Sequence, residues 1–304
     1  MPNHSHRTLG FAACAGASTF WGMGFFFGKI ALAEMSVGHM VFYRFFFAVL
    51  ALLPIMLLHR PRLNKREWGW LLLCSFLGVP LQFLIQFQGL ALTTVSHASL
   101  MVGTMPVILA VGATLWAKER LDRIGWLALA ASSTGAALIV FGKKSHAAGG
   151  PTLVGDMLVV ASLVIALFWV LLNKKLMKQH SALVITAYGL TVGWLMLCIW
   201  VPLQYGLPPV HGISVKAWLA LAASGVLCTA TSTMLWNWGM TQVPASQAGI
   251  FLNLEPLIGS LLGIGLLGET LGLTGWLGGA IILAAAAVLT TSSNAHIEDE
   301  HLIA

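Results

Sequence analysis

Ten apolar segments of about 20 residues each, separated by short polar stretches, constrain this sequence more than any other feature. A segment of this length, wound as a helix, crosses the hydrocarbon core of a bilayer and satisfies its own backbone polar groups. Only 9% of the 304 residues are charged and 58% are hydrophobic, which excludes an ordinary soluble globular protein. The chain is therefore predicted to be an all-α integral membrane protein. The predicted spans cover about residues 9–32, 36–58, 68–88, 94–117, 123–142, 153–173, 183–203, 216–238, 244–267 and 271–292.

The distribution of Lys and Arg predicts the orientation of the chain. With the N-terminus in the cytoplasm, the cytoplasmic loops hold 11 of the 16 Lys and Arg residues, the outer segments hold 4, and Arg44 lies within a span. Positive charges are retained on the cytoplasmic side. We therefore predict a multi-pass protein of the cell (inner) membrane with both termini in the cytoplasm. The net charge of +6 has the same explanation, because no basic cluster with interleaved aromatic residues indicates a nucleic-acid partner.

An internal repeat divides the chain into two halves. At an offset of 150 positions, Pro106 matches Pro256, Glu119 matches Glu269, and two pairs of Trp residues also match. These residue types are uncommon in this composition, so the matches predict a duplication. Each half holds five predicted spans, an odd number, and the second half is therefore expected to enter the membrane with the opposite orientation. Inverted repeats are typical of secondary transporters, which expose a site near the bilayer midplane alternately to each side.

Short motifs recur in a fixed order along the two halves. They are Trp21-Gly22 followed by Lys29, Gly155-Asp156 followed by Trp169 and Lys174-Lys175, Leu254-Glu255-Pro256, and Leu267-Gly268-Glu269-Thr270-Leu271. In this order and spacing the chain resembles the drug/metabolite transporter superfamily, and specifically its EamA-type ten-helix exporters. The resemblance implies ten transmembrane helices in two inverted five-helix repeats around a central cavity. It implies a first EamA-like repeat at residues 1–146, a second at 147–294 and a soluble C-terminal tail at 295–304.

The same resemblance implies a function. Related proteins export amino acids, other metabolites or drugs by alternating access. We therefore predict a secondary transporter that exports small metabolites, such as amino acids or related amphipathic compounds, with coupling to protons or to exchange. The predicted partners are a small-molecule substrate and membrane lipid.

Two ionisable residues inside predicted spans are the first candidates for function, because a charge at this depth is costly unless it is paired or hydrated. Glu255 directly precedes Pro256, whose ring removes a backbone hydrogen bond. We predict that Glu255 couples transport to protonation or binds a positive group of the substrate, and the alternative is a protonated Glu with a structural role. Arg44 lies within the second span, where it either attracts a carboxylate or extends to the outer interface.

Polar and aromatic side chains on the predicted helix faces complete the candidate substrate-binding set. Aromatic rings stack on aromatic or cationic ligands, but they also anchor helices at the membrane interface. Amides hydrogen-bond to ligands, but they also join neighbouring helices. The full set is Trp21, Tyr43, Arg44, Gln82, Gln86, Trp169, Tyr188, Trp236, Asn253 and Glu255.

Three other features are predicted to be structural. The lone His97 is more often a structural residue than a proton carrier, and Lys29 is expected to extend to the interface because it lies near a helix end. Gly259 and Gly263 form a GxxxG pair, which predicts a close contact between helices.

The sequence also limits the other classes of function. It contains no HExxH, GxSxG or GxxxxGK[ST] motif and no cluster of carboxylates or histidines at metal-ligand spacing, so no enzyme activity, metal site or cofactor is predicted. Without a phosphate-binding loop, transport must be driven by a gradient or by the substrate itself. A membrane-embedded lipid-modifying enzyme and a channel are the alternatives to a transporter.

Overall fold

All regular elements in the described residues are helical. The computed structural model describes residues 4–59, 63–105, 107–108, 112, 123–141, 151–177, 179–242, 249–285 and 288. The α-helices are α1 (His4–Leu32), α2 (Val37–Leu58), α3 (Lys65–Phe76), α4 (Gln82–Ala91), α5 (Val95–Val102), α6 (Arg123–Phe141), α7 (Leu153–Met177), α8 (Ala182–Tyr205), α9 (Val215–Gly225), α10 (Ser232–Gln242), α11 (Leu254–Leu267) and α12 (Leu273–Ala285).

Six helical segments of the described chain are long and apolar enough to cross a membrane. Large apolar side chains cover their outer surface: Leu57, Leu58 and Leu203 are 73%, 78% and 77% exposed, an arrangement that suits lipid and not water. The prediction of an all-α, multi-pass membrane protein is confirmed at this level, and each of the four other predicted spans lies partly outside the described residues. The six segments are Thr8–Leu32, Val37–Leu58, Lys65–Ala91, Leu153–Asn173, Ala182–Tyr205 and Val215–Met240.

Two of these long segments are interrupted by a π-helical turn. Leu77–Leu81 joins α3 to α4, and Val226–Thr231 joins α9 to α10. The first turn contains Pro80, which has no backbone N–H to donate. In the second turn the hydroxyl of Thr229 donates to the carbonyl of Ser224 at 3.0 Å. The two turns lie about 150 positions apart, which is the offset of the sequence repeat.

Helices from the first part of the chain pack mainly against helices from the second part. Helix α1 lies against α10 and α11, α2 lies against α8, α4 lies against α7, and α5 lies against α11. Glycines permit the closest approach: Gly259 lies against Ser99, and Gly263 lies against Ser96. The predicted contact at Gly259 and Gly263 is therefore confirmed. A site between these helices is built from residues that are far apart in the sequence.

Candidate functional site

An aromatic pair marks the middle of α1. Trp21 lies about halfway along the Thr8–Leu32 span. Its ring contacts that of Trp236 in α10, with centroids 5.3 Å apart and planes tilted by 49°, a favourable arrangement for two aromatic rings. Both rings are half-buried, so each keeps surface that a ligand can contact. The structure thus brings together two of the predicted substrate-binding residues.

Two glycines of α1 allow oppositely charged residues to lie beside this helix at the same depth. Gly22 lies against the backbone carbonyl of Glu255, and a β-carbon at Gly24 would lie 3.4 Å from both Nη atoms of Arg44. Two residues of helix rise about 3 Å, so both charged residues lie within about one turn of the middle of α1. We call the following four residues the central site: Trp21, Arg44, Trp236 and Glu255.

Arg44 is held inside the protein and not at its surface. It is only 3% exposed. Its Nε donates to Thr229 Oγ1 at 2.8 Å and its Nη2 donates to the carbonyl of Cys228 at 3.2 Å, both in the second π turn. Its Cζ lies 5.0 Å and 5.1 Å from the ring centroids of Phe83 and Phe87, which is cation–π range. The alternative in which Arg44 extends to the interface is therefore wrong, and its guanidinium retains N–H groups that can bind an anion.

Glu255 lies where the helix geometry changes. A 3-10 helix over Gly249–Asn253 gives way to α11 at Leu254, so Glu255 and Pro256 are in the first turn of α11. Proline is tolerated there because the first N–H groups of a helix have no partner within it. The sequence predicted a break at Pro256, and the change of geometry lies just before it. The helix N-terminus also favours a negative charge at Glu255.

Arg44 and Glu255 attract each other without being in contact. Each lies in the electrostatic field of the other. No nitrogen of Arg44 is within 4.0 Å of a Glu255 oxygen, and the Glu255 carboxylate accepts no hydrogen bond from a described residue. Glu255 is half-buried, so part of it remains open. Opposite charges that are held apart in this way can bind a molecule that carries both charges.

The three predicted amide residues lie on elements next to this site. Gln82 and Gln86 directly precede the two phenylalanines that contact Arg44. Gln86 is buried and Gln82 is half-buried, and neither amide hydrogen-bonds to a described residue. Asn253 is the last residue of the 3-10 helix before Glu255. All three are therefore close in the chain to residues that build or line the central site.

The two predicted tyrosines make other contacts. The hydroxyl of Tyr43 donates to the carbonyl of Pro209 at 2.9 Å, and its ring centroid lies 4.8 Å from that of Trp218. The hydroxyl of Tyr188 donates to the carbonyl of Met56 at 3.3 Å. The structure thus brings neither tyrosine into contact with the aromatic pair of α1, and both hydroxyls hold helices or loops together.

Trp169 lies at a separate cavity that the sequence did not predict. It is formed between α3, the first π turn, α7, α8 and α10. Its other polar lining residues include Asn173, Thr186 and Thr233. The signal that could have revealed it is the repeat, because Trp169 is the counterpart of Trp21.

A second group of ionisable residues lies at one end of the helix bundle. Lys29, near the end of α1, donates from Nζ to the carbonyls of Leu90 at 2.8 Å and Thr93 at 2.6 Å. Leu90 belongs to the last turn of α4, whose carbonyls have no partner within the helix. The prediction that Lys29 extends to the interface is therefore wrong, because it binds these carbonyls instead.

Asp156 lies in the first turn of α7 and is fully buried. Its Oδ1 accepts a hydrogen bond from Thr93 Oγ1 at 2.5 Å, and its Oδ2 lies 3.3 Å from Nδ1 of His97. His97 is therefore held by a carboxylate, which agrees with a structural role. The sequence analysis named Asp156 only as part of the Gly155-Asp156 motif and gave it no role in a site, although a single acid at the start of an apolar span is itself a signal.

Glu269 completes this end of the bundle. Gly268 ends α11 in the left-handed conformation at φ 66°, which turns the chain toward α5. Glu269 then accepts hydrogen bonds from the backbone N–H groups of Val95 at 2.7 Å and Ser96 at 2.8 Å, and from the Ser96 hydroxyl at 2.6 Å. We call the following residues the paired end: Lys29, Thr93, Ser96, His97, Asp156 and Glu269. Across the described chain, no three His, Cys, Asp or Glu residues are grouped so that they could hold a metal ion.

Comparison with known proteins agrees with a membrane transporter. The EamA-like transporter family matches residues 8–141 and again residues 153–291. An uncharacterized transporter of Archaeoglobus fulgidus is 32% identical, over 84% of this chain and 89% of its own length. The inner membrane protein YtfF of Escherichia coli is 24% identical, over 81% of this chain and 83% of its own length.

A solved crystal structure shares the fold. It superposes with a TM-score of 0.66 at 16% sequence identity and covers 96% of this chain and 98% of the other. The family matches cover most of the sequence in two successive parts, as the repeated motifs predicted. The family and the Archaeoglobus fulgidus relative are both named as transporters. This chain belongs to the EamA-like transporter family and is a multi-pass membrane transporter.

Proposed function

We propose that this transporter is a secondary exporter of small zwitterionic metabolites, such as amino acids with an apolar side chain. The observation that carries the proposal is the pair of opposite charges at the central site. Arg44 is buried with unused donors, and Glu255 is half-buried with no described partner at its carboxylate. A substrate carboxylate binds Arg44, and a substrate ammonium group binds Glu255.

The aromatic pair serves the apolar part of the same substrate. Trp21 and Trp236 lie in contact near the middle of α1, at the depth of the two charges. Their half-buried rings offer apolar surface and a face that attracts cations. Gln82 and Gln86, which hydrogen-bond to no described residue, supply further polar contacts from α4.

Alternating access follows from the repeat. The proposed first half is residues 1–146 and the second is 147–294, with a soluble tail at 295–304. The recurrence of the π turns about 150 positions apart and the packing of α1, α2, α4 and α5 against helices of the second part support two related halves. Five spans in each half give the second half the opposite orientation, with both termini in the cytoplasm of a cell with an inner membrane.

Coupling arises from competition at one carboxylate. When Glu255 is ionised it binds the ammonium group of the substrate, and when it is protonated it cannot. Proton and substrate therefore exclude each other, and carrying each across in turn gives exchange. The charge of Arg44 does not titrate in the physiological range, so it holds the carboxylate of the substrate in both steps.

The test is counterflow in proteoliposomes that contain the purified protein. Radiolabelled L-leucine is expected to enter vesicles preloaded with unlabelled L-leucine in a saturable manner, which a channel would not show. Isopentylamine, which lacks the carboxylate, and isocaproate, which lacks the ammonium group, are expected to compete weakly. Strong competition by either analogue would contradict the requirement for both charges.

The coupling is tested with Glu255→Gln over a range from about pH 5.5 to about pH 8.5. The variant keeps the size of the side chain but cannot ionise, so its transport is expected to lose its dependence on pH and on an imposed proton gradient. Glu34→Gln, which changes an acid in the loop after α1, is the matched control. Its transport should keep its dependence on pH and on the proton gradient. If the wild type and Glu255→Gln give the same rates and the same pH profile, another group couples the transport.

A further inference from the structure

The surroundings of Arg44 have a counterpart later in the chain. Aligning Tyr43 with Tyr188, an offset of 188 − 43 = 145 positions, places Gly189 at the position of Arg44. Gly189 lies in α8, which packs against α2, the helix that carries Arg44. The repeat therefore has a large cationic side chain in one copy and no side chain in the other.

Two residues around Arg44 are aromatic, whereas the corresponding residues of the second copy are polar. Phe83 and Phe87, on which the guanidinium of Arg44 lies, correspond at an offset of 150 to Thr233 and Asn237. Aromatic rings in the first copy are thus replaced by hydrogen-bonding groups in the second. The second copy is polar where the first copy is aromatic and filled.

A cavity occupies the place that a side chain at Gly189 would fill. The cavity has room for a group of about the size of a water molecule, which is also the size of an ammonium group. We call it the Gly189 niche. Gly189 lies at its wall. The polar side chains that line it are those of Ser75, Trp169, Asn173, Thr186 and Thr233.

Polar groups in the niche lack partners. Asn173 is 6% exposed and Thr233 is 7% exposed, yet neither side chain hydrogen-bonds to a described residue. The oxygen of Thr186 accepts a hydrogen bond from Asn237 Nδ2 at 2.6 Å. The polar atoms of Asn173 and Thr233 line the niche and are open to it, so a molecule in the niche can hydrogen-bond to both.

We propose that the Gly189 niche binds the primary ammonium group of a small ligand, in the place that corresponds to the guanidinium of Arg44. The oxygens of Asn173, Thr186 and Thr233 can receive the three N–H groups of an ammonium ion. The indole of Trp169 offers an aromatic surface to the same cation. No anionic side chain lines the niche among the described residues, so an ammonium group is held by neutral acceptors and can leave again.

This site is separate from the central site and does not depend on the proposed substrate. The central site binds an ammonium group through the carboxylate of Glu255, whereas the niche uses neutral oxygens and an indole ring. A change at one site is therefore expected to leave binding at the other.

Gly189 permits a direct test of occupancy. A β-carbon at this position would lie 3.7 Å from Leu71 Cδ1 and 3.8 Å from Ser75 Oγ, which are ordinary van der Waals distances. A β-carbon at this position is therefore accommodated without striking the backbone. Gly189→Leu fills the niche, and Thr233→Val removes one acceptor at nearly constant volume.

The experiment is a titration of the purified protein with ethylammonium chloride, followed by calorimetry and by the midpoint of thermal unfolding. Saturable binding and stabilisation are expected for the wild type. Thr233→Val and Asn173→Leu are each expected to weaken binding about tenfold, and Gly189→Leu is expected to abolish it. Thr191→Val, which removes a hydroxyl that donates to the backbone of α8 outside the niche, is the matched control and should bind like the wild type.

Three further comparisons decide the outcome. Sodium chloride and ethanol at the same concentrations are expected to have no saturable effect, and an equal effect of either would overturn the proposal for an ammonium group. Glu255→Gln, which removes the ammonium partner at the central site, is expected to keep the binding that Thr233→Val weakens. If binding is lost in Glu255→Gln and kept in Thr233→Val, the ammonium ion binds at the central site and the niche proposal is wrong.

Discussion

The paired end and the central site contain the same kinds of charged residue, but these residues differ in how many hydrogen-bond partners they have in the protein. At the paired end, Lys29, Asp156 and Glu269 each form hydrogen bonds of 2.5–2.8 Å to described residues. At the central site, Glu255 has no described partner at its carboxylate, and Arg44 holds its position with only part of its donors. The contrast is between charges that join helices and charges that are available to a ligand.

The difference has a physical cause. Charged groups near helix ends find unpaired backbone carbonyls and N–H groups, because each helix leaves four of each unsatisfied. In the middle of a span the backbone is already paired, and the remaining partners are side chains, ring faces or the irregular backbone of a π turn. An acid in the middle of the membrane is therefore left for a substrate or a proton, whereas an acid at a helix end is used by the fold.

The largest expected effect that sharpens this comparison is at Arg44. Arg44→Met should lower the transport of L-leucine about 100-fold, because a charge-assisted hydrogen bond to the substrate is lost. The free energy of unfolding should fall by about 1–3 kcal/mol, because the Thr229 oxygen and the carbonyl of Cys228 lose a buried donor. Transport in proteoliposomes and unfolding of the purified protein are the two measurements.

Arg44→Lys is the control for this change, since it keeps the charge and loses the planar fork. Its transport should fall less than that of Arg44→Met. If folded Arg44→Met transports L-leucine at the wild-type rate, Arg44 only joins helices in the same way as the residues of the paired end, and the distinction between the two regions fails.

The next effect is on stability at the paired end. Glu269→Ala removes three hydrogen bonds at the start of α5 and should lower the free energy of unfolding by about 2 kcal/mol. The affinity for L-leucine should stay within about twofold of wild type, because Glu269 is not part of the central site. Glu269→Gln keeps one acceptor oxygen, so its free energy of unfolding should lie between those of the wild type and Glu269→Ala. A loss of affinity without a loss of stability in Glu269→Ala would reverse the assignment.

The smallest effect concerns Glu34, in the loop after α1. Hydrogen bonds from the hydroxyl and backbone N–H of Ser214 lower the pKa of Glu34. A lowered pKa means that this stabilisation is present above the ordinary pKa of a Glu and is lost as the pH falls through the lower, folded-state value. Below about pH 4.5, the midpoint temperature of unfolding should therefore change less with pH in Glu34→Gln than in the wild type. Near neutrality the two proteins should show the same dependence of this temperature on pH. Identical acid profiles for the two proteins would show that this contact contributes nothing.

Several features of the site were predictable from the sequence because they depend on local pattern. Glu255 and Arg44 stand out as charges in apolar spans, and both are near the middle of α1 in the structure. The pairing of Trp21 with Trp236 was not predictable, since nothing in the sequence shows which of several aromatic residues share a depth and a face. Tyr43 and Tyr188 are also aromatic residues of the predicted set, but their hydroxyls donate to the carbonyls of Pro209 and Met56 and not to residues of the central site.

The sequence by itself determined the class of the protein. Apolar segments of spanning length, the scarcity of charge and the repeat at 150 positions are properties of the chain that hold in any conformation, and they indicate a duplicated membrane transporter. The tertiary structure decided which polar groups are satisfied. Thr93 meets Asp156 across 63 positions and Ser96 meets Glu269 across 173 positions. Contacts of that range arise only when helices pack, and packing alone determines which charges hold the bundle together and which remain available to a ligand.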